Sequence, residues 1–326
     1  MLILTKIDNS RTHSFYGLRV IAILCVIVLH SGKVIGNIGC PISLFFVLSG
    51  FLFRYPNNIR QYYTYKLLKV FPIYWLTFLI DFYINHRSLT WGMLAHVFLL
   101  QTYVPCHEYA DIRPFFYQYL GVSWFLSCLL FCYLVSPWIY NLINKLRNKV
   151  DVLIILGLLI IGMAIYMQLP IPQAFQKWAW YVSPYYRFAE YLCGMLLARL
   201  LTNFFFPTRI DCCSKIVVVS IFAYYILQLV YKTNLWVWPN LFIITVLYVY
   251  NIPMCNRILG NKFMKVCATN IMPVYLLHES VMPTIRELGG GWIDCTIASL
   301  FISSVYALII YLIDKYVLVF LFKNYK

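Results

Sequence analysis

Arg19 and His30 stand eleven residues apart in the apolar stretch GLRVIAILCVIVLH (17–30). At 100° per residue that spacing returns to within about 20° of its starting direction, so a helix carries both on one face. Along the axis they are about 16 Å apart, roughly half the thickness of a bilayer's hydrocarbon core. An ionisable group inside a membrane is by default a functional candidate. Taken singly, Arg19 can snorkel to the headgroups and His30 can sit as an interfacial polar residue. Their shared face points instead to a polar passage, with a cation at its entrance and a titratable base further in. A histidine in a partly desolvated site can remove a proton from a hydroxyl or carry a group covalently.

Other residues extend this chemistry. Arg54, Arg60, Lys66 and Lys69 follow Arg19 closely and make a cationic mouth that would attract phosphates, although Lys and Arg near span ends also serve to set topology. Arg187 and Glu190 are three apart, close enough to pair on one helix face. Glu190 either orients His30, binds hydroxyls or joins Arg187 in a structural ion pair. His278 follows Pro273 by five residues and is either a second catalytic or substrate-binding group or a helix–helix hydrogen bond. Asp81 and Asp294 fall near span ends. Cys106, His107 and Glu108 share a polar loop, but no paired C-x-x-C or zinc spacing accompanies them, and no metal is assigned.

The elements that must position these groups are membrane helices. The chain is 62% hydrophobic and 11% charged, against about 45–50% and roughly 25% in soluble domains. The net charge of +15 punctuates apolar runs and gathers on no soluble domain, which argues against nucleic acid. Runs of spanning length fall near 15–34, 38–56, 67–85, 122–143, 152–169, 182–202, 214–231, 235–252, 270–286 and 292–313. The expectation is an all-α transmembrane bundle of about ten spans, forming one membrane domain over 1–326, with an uncleaved first helix. With the N-terminus inside, the outer side holds only Lys33, Arg87, Arg113, Lys177, Arg187, Lys232 and Arg286, and most other Lys and Arg fall inside. Letting 91–104, with His96 and Gln101, cross as well would invert that bias. It reads as a re-entrant or interfacial segment on the outer face, and both termini then lie in the cytoplasm.

GLRVIAILCVIVLH followed by FFVLSGF (45–51) resembles the opening of the acyltransferase 3 family, bacterial membrane O-acyltransferases acting on cell-surface glycans. KLLKVFPIYW (66–75), SWFLSCLLFCYL (123–134), YRFAEYLCGMLLA (186–198) and YLLHESV (275–281) continue the likeness in order. Two positions depart from it. Lys66 and Lys69 replace the usual arginine pair, keeping charge but losing the bidentate phosphate fork. Glu279 follows His278 where relatives often have a small polar or amide residue.

The resemblance implies an O-acetyltransferase of the cell (cytoplasmic) membrane. Acetyl-CoA or another acyl-CoA would be the donor substrate, with no bound cofactor, and an exopolysaccharide or lipid-linked glycan the acceptor. Arg19, His30, Glu190 and His278 are then the catalytic candidates. Arg19, Arg60, Lys66 and Lys69 are candidates for donor binding, and Trp124, Arg187 and Tyr275 for acceptor binding. The tetrahedral oxyanion would take a hydrogen bond from Arg19, Trp124 or a backbone N–H near Ser49 and Gly50. Polar groups along one helix face also fit a conduit, so a transporter or flippase for the glycan or its lipid carrier is the alternative. An inactive assembly subunit is a third.

Overall fold

A computed structural model describes residues 12–32, 41–106, 114–146, 148–203 and 253–313. The expected spans 214–231 and 235–252 lie outside these residues. Every regular element among the described residues is helical. In chain order they are α1 (Ser14–His30), α2 (Pro41–Phe51), α3 (Ile59–Ile84), α4 (Met93–Val97), α5 (Trp124–Asn144) and α6 (Lys149–Tyr166). There follow α7 (Gln173–Lys177), α8 (Pro184–Asn203), α9 (Pro253–Leu259), α10 (Lys262–Thr269), α11 (Ile271–Glu287) and α12 (Trp292–Ile313). Single 3-10 turns stand at Phe115–Tyr117 and Gly121–Ser123, and a π turn at Trp178–Val182 leads into α8.

Among the described residues four helices are long and apolar enough to cross a bilayer: α3, α5 with the turn before it (Gly121–Asn144), α6 and α12. Much of α3, α6 and α12 is exposed apolar surface, including Leu79, Leu158 and Phe301. An apolar exterior of this kind suits a lipid solvent. α2 is shorter than the run 38–56 suggests, at 11 residues. It is buried nearly throughout, as expected for a central helix that is apolar on all sides.

The segment 91–104 holds only the five-residue α4 followed by turns, with Leu99 at φ 57°. A helix of that length rises about 7.5 Å, far short of a bilayer's core of about 30 Å. Side chains from three neighbours pin its backbone. Tyr74 Oη donates to His96 O at 2.5 Å and Trp75 Nε1 to Val97 O at 3.0 Å. Ser127 Oγ donates to Leu99 O at 2.6 Å and Trp178 Nε1 to Thr102 O at 2.9 Å. Irregular backbone in a membrane protein is tolerated where the protein itself supplies the hydrogen bonds.

Two glycines bring α2 and α8 together. A Cβ on Gly50 would sit 1.9 Å from Tyr191 O, and one on Gly194 would sit 2.0 Å from Val47 O. Each helix therefore presents a glycine to the other's backbone, the close approach that small residues permit between membrane helices. The sequence elements FFVLSGF and YRFAEYLCGMLLA are the two sides of one contact. At the other end of α1, Asn256 Oδ1 in α9 accepts from Ser14 N at 3.0 Å and so caps the helix. Gly17 faces Leu259, whose Cα would lie 2.8 Å from an added Cβ. α11 packs against both α1 and α12. Thr77 Oγ1 and Tyr306 Oη, 2.8 Å apart, join α3 to α12.

Candidate active site

His30 is the last residue of α1, and α11 brings His278 against it. His278 Nε2 and His30 Nδ1 are 3.0 Å apart, with the rings stacked at 5.0 Å between centroids. The other ring nitrogen of His278, Nδ1, lies 2.5 Å from Tyr275 O. A carbonyl oxygen only accepts, so His278 Nδ1 carries the proton. In a neutral His278 the Nε2 then accepts from His30 Nδ1–H. His30 is left with its lone pair on Nε2, which is the atom able to take a proton from a substrate. The chain of bonds from the Tyr275 carbonyl through His278 thus sets the tautomer of His30. His278 is fully buried, whereas His30 is half-buried.

Tyr275 is held in turn. Its hydroxyl donates to Val122 O at 2.9 Å, and its ring meets Phe125 edge-on at 5.2 Å. Arg286, on the same helix, donates through Nη2 to His30 O at 2.7 Å.

A second polar cluster lies across α2, α5 and α8. Arg187 Nη1 reaches Glu190 Oε1 at 2.7 Å and Oε2 at 2.8 Å. Ser43 Oγ donates to Glu190 Oε1 at 2.7 Å and accepts from Arg187 Nη1 at 2.9 Å. Arg187 Nε donates to Tyr181 O at 2.7 Å. The rings of Phe46, Trp124, Tyr181 and Tyr186 surround the guanidinium at 5.0 to 5.8 Å. Both charged residues are at most 2% exposed. So Glu190 pairs with Arg187 and Ser43, and the orienting bond to His30 that its position suggested is made by His278. Trp124 packs on Arg187. The two clusters touch through aromatic rings, because Phe125 contacts both Tyr275 and Phe46.

The candidate donor-binding residues divide. Lys66 is half-buried, with Nζ 4.0 Å from the Tyr133 ring centroid and 5.5 Å from that of Tyr62. It lies close enough to Lys69 and Arg19 to feel both charges, and Arg19 also acts on Tyr133. Arg60 and Lys69 are exposed. Arg54 Nη1 donates to Phe53 O at 3.0 Å at the end of α2. Among the described residues no carboxylate forms an ion pair with Arg19, Lys66 or Lys69. Clustered like charges of this kind favour an anionic ligand.

The Cys106–His107–Glu108 trio extends beyond the described residues. Sequence reasoning missed Arg286 as a partner of His30 and Tyr275 as the residue whose carbonyl sets His278. The first was readable only as an outer-side cation and the second as an aromatic in a matched segment, a candidate for acceptor binding.

Comparison with curated proteins and with solved structures gave no match. The sequence model of the acyltransferase 3 family, an acyltransferase domain, matches residues 12–314. That range takes in both histidines, the buried ion pair and the basic cluster. The apolar helices agree with a membrane location. The chain belongs to the acyltransferase 3 family and is a membrane acyltransferase.

Proposed function

We propose that the protein transfers an acetyl group from cytoplasmic acetyl-CoA to a hydroxyl of an exopolysaccharide or lipid-linked surface glycan. In this reading the chain crosses the cytoplasmic membrane about ten times with both termini inside, and the donor enters at the basic end of α1. The observation that carries the reading is the His30–His278 hydrogen bond, which leaves the Nε2 lone pair of His30 as a base.

Arg19 and Lys66 bind the CoA phosphates, as clustered cations drawn to a polyanion. Lys66 acts as a point charge and not as a bidentate fork. His30 Nε2 takes the proton of the acceptor hydroxyl as its oxygen attacks the thioester carbonyl. The tetrahedral oxyanion collapses, the carbon–sulfur bond breaks, and the CoA thiolate recovers the proton from His30. The products are the O-acetyl ester and free CoA. His278 stays neutral throughout, accepting from His30 Nδ1 and stabilising the imidazolium as it forms. Buried Arg187 and Glu190 hold α2 against α8, behind Trp124, so that the aromatic wall between the clusters keeps its place.

The test follows labelled acetyl-CoA into the glycan fraction of membranes holding matched amounts of wild-type or His30→Ala protein. Transfer by the wild type and its fall to background in the variant are expected. Equal labelling by both would end the assignment of His30. Glycan movement that requires the protein but no acyl-CoA would favour the transporter.

A further inference from the structure

We infer that Arg286 is a positioning residue for His30, so that a single helix, α11, holds the base both by its ring and by its backbone. The inference rests on the acyl-transfer reading for its kinetic consequences but on geometry for its substance. His30 ends α1, and the last carbonyls of a helix have no partner within it. Its own carbonyl oxygen accepts from Arg286 Nη2 at 2.7 Å, while its ring donates to His278 Nε2 at 3.0 Å. The two α11 residues are eight positions apart, a little over two helical turns, or about 12 Å of rise.

Two attachments from one helix fix more than one can. The ring bond alone would let α1's last turn pivot about the His30–His278 axis. The backbone bond alone would leave χ1 and χ2 of His30 free. Together they determine where Nε2 points. A guanidinium charge at a helix C-terminus also complements the negative end of the dipole.

The local chain is shaped to admit this contact. Immediately after His30 the backbone turns through Ser31 and Gly32, and Gly32 has φ 98°. That conformation is the left-handed one in which a side chain is strained. A Cβ built there would lie 3.9 Å from Arg286 Nη2, so the turn passes directly beside the guanidinium. Ser31 Oγ donates to Val28 O at 2.7 Å and tightens the same turn. α11 is itself held from the α3 side, where Asn85 Nδ2 donates to Ser280 O at 3.2 Å and to Asp81 Oδ1 at 2.8 Å. Asp81 also pairs with Arg87 at 3.3 Å. The helix that carries both contacts is therefore anchored between them.

A positioning role affects the chemical step more than binding. Misplacing a reacting group by about 1 Å can cost on the order of 100-fold in rate. Arg286→Ala is expected to lower kcat by about 10- to 100-fold with KM for acetyl-CoA and for acceptor within about twofold. Arg286→Lys, which keeps one donor and the charge, is expected to recover most of the loss. Hydrogen exchange followed by mass spectrometry gives a readout independent of activity. Amides in the last turn of α1, including those of His30 and Ser31, should exchange faster in Arg286→Ala while α12 is unchanged.

Unchanged kcat and unchanged exchange would overturn the inference. So would a rise in acceptor KM at constant kcat, which would make Arg286 a substrate-binding group. If the wild type transfers no acetyl group, the proposed function falls, and the exchange comparison still decides whether Arg286 holds the end of α1.

Discussion

At the scale of single residues, the site depends on which atom carries which proton. His278 has one partner that can only accept, the Tyr275 carbonyl, and this requirement passes along the chain of bonds to His30 Nε2. His278→Phe keeps much of the ring volume but removes the acceptor, so kcat should fall by about 100-fold or more. His278→Gln should lose less, because an amide oxygen can still accept from His30 Nδ1–H. Label transfer measured on both variants at matched protein levels checks the order. Equal losses would mean that His278 only fills space. The positions of His30, His278 and Arg19 were legible as chemistry in an apolar chain, because a bilayer makes polar groups conspicuous. That His30 and His278 are partners was not, since a hydrogen bond between residues 248 positions apart leaves no local pattern.

At the scale of helices, α2 and α8 meet through paired glycines and a buried ion pair with a shared serine. Gly50→Ala would place a methyl group against the Tyr191 carbonyl, and backbone cannot give way as a side-chain tip does. Overpacking of a tight contact costs about 1–3 kcal/mol, and the overlap here is at the severe end. The variant should melt several degrees lower in detergent than the wild type, and Gly194→Ala should do the same. An unchanged melting temperature in both would show that the helices can separate freely. Where the helices lie was read well from apolar runs: α5, α6, α8, α11 and α12 all fall on expected stretches. α3 begins earlier than its run, at Ile59, because Asn58 caps it by accepting from Gln61 N at 3.1 Å and carries helix through Lys66 and Lys69. Lys66 is thereby set against the rings of Tyr62 and Tyr133, and Lys69 over that of Tyr65.

At the scale of the whole molecule, the distribution of Lys and Arg predicts which side each loop faces. The segment containing α4 should lie on the outer side, and Cys106, just beyond it, is partly exposed. A variant retaining only Cys106 should react from outside the cell with a membrane-impermeant maleimide, without permeabilisation. Labelling only after permeabilisation would invert the topology and move His30 to the cytoplasmic half. Composition, the apolar runs and the two polar residues of the first helix were enough to define a membrane helix protein with an arginine and a histidine on its first helix. These follow from one-dimensional facts, because a bilayer imposes its length and polarity on each span separately. Only tertiary structure decided that His278 and Arg286 hold His30, that Glu190 belongs to Arg187, and that two glycines from distant motifs face each other. Those pairings depend on how helices are rotated and staggered against one another. Rotation and stagger are set by side-chain packing over the whole bundle, which no single stretch of sequence contains.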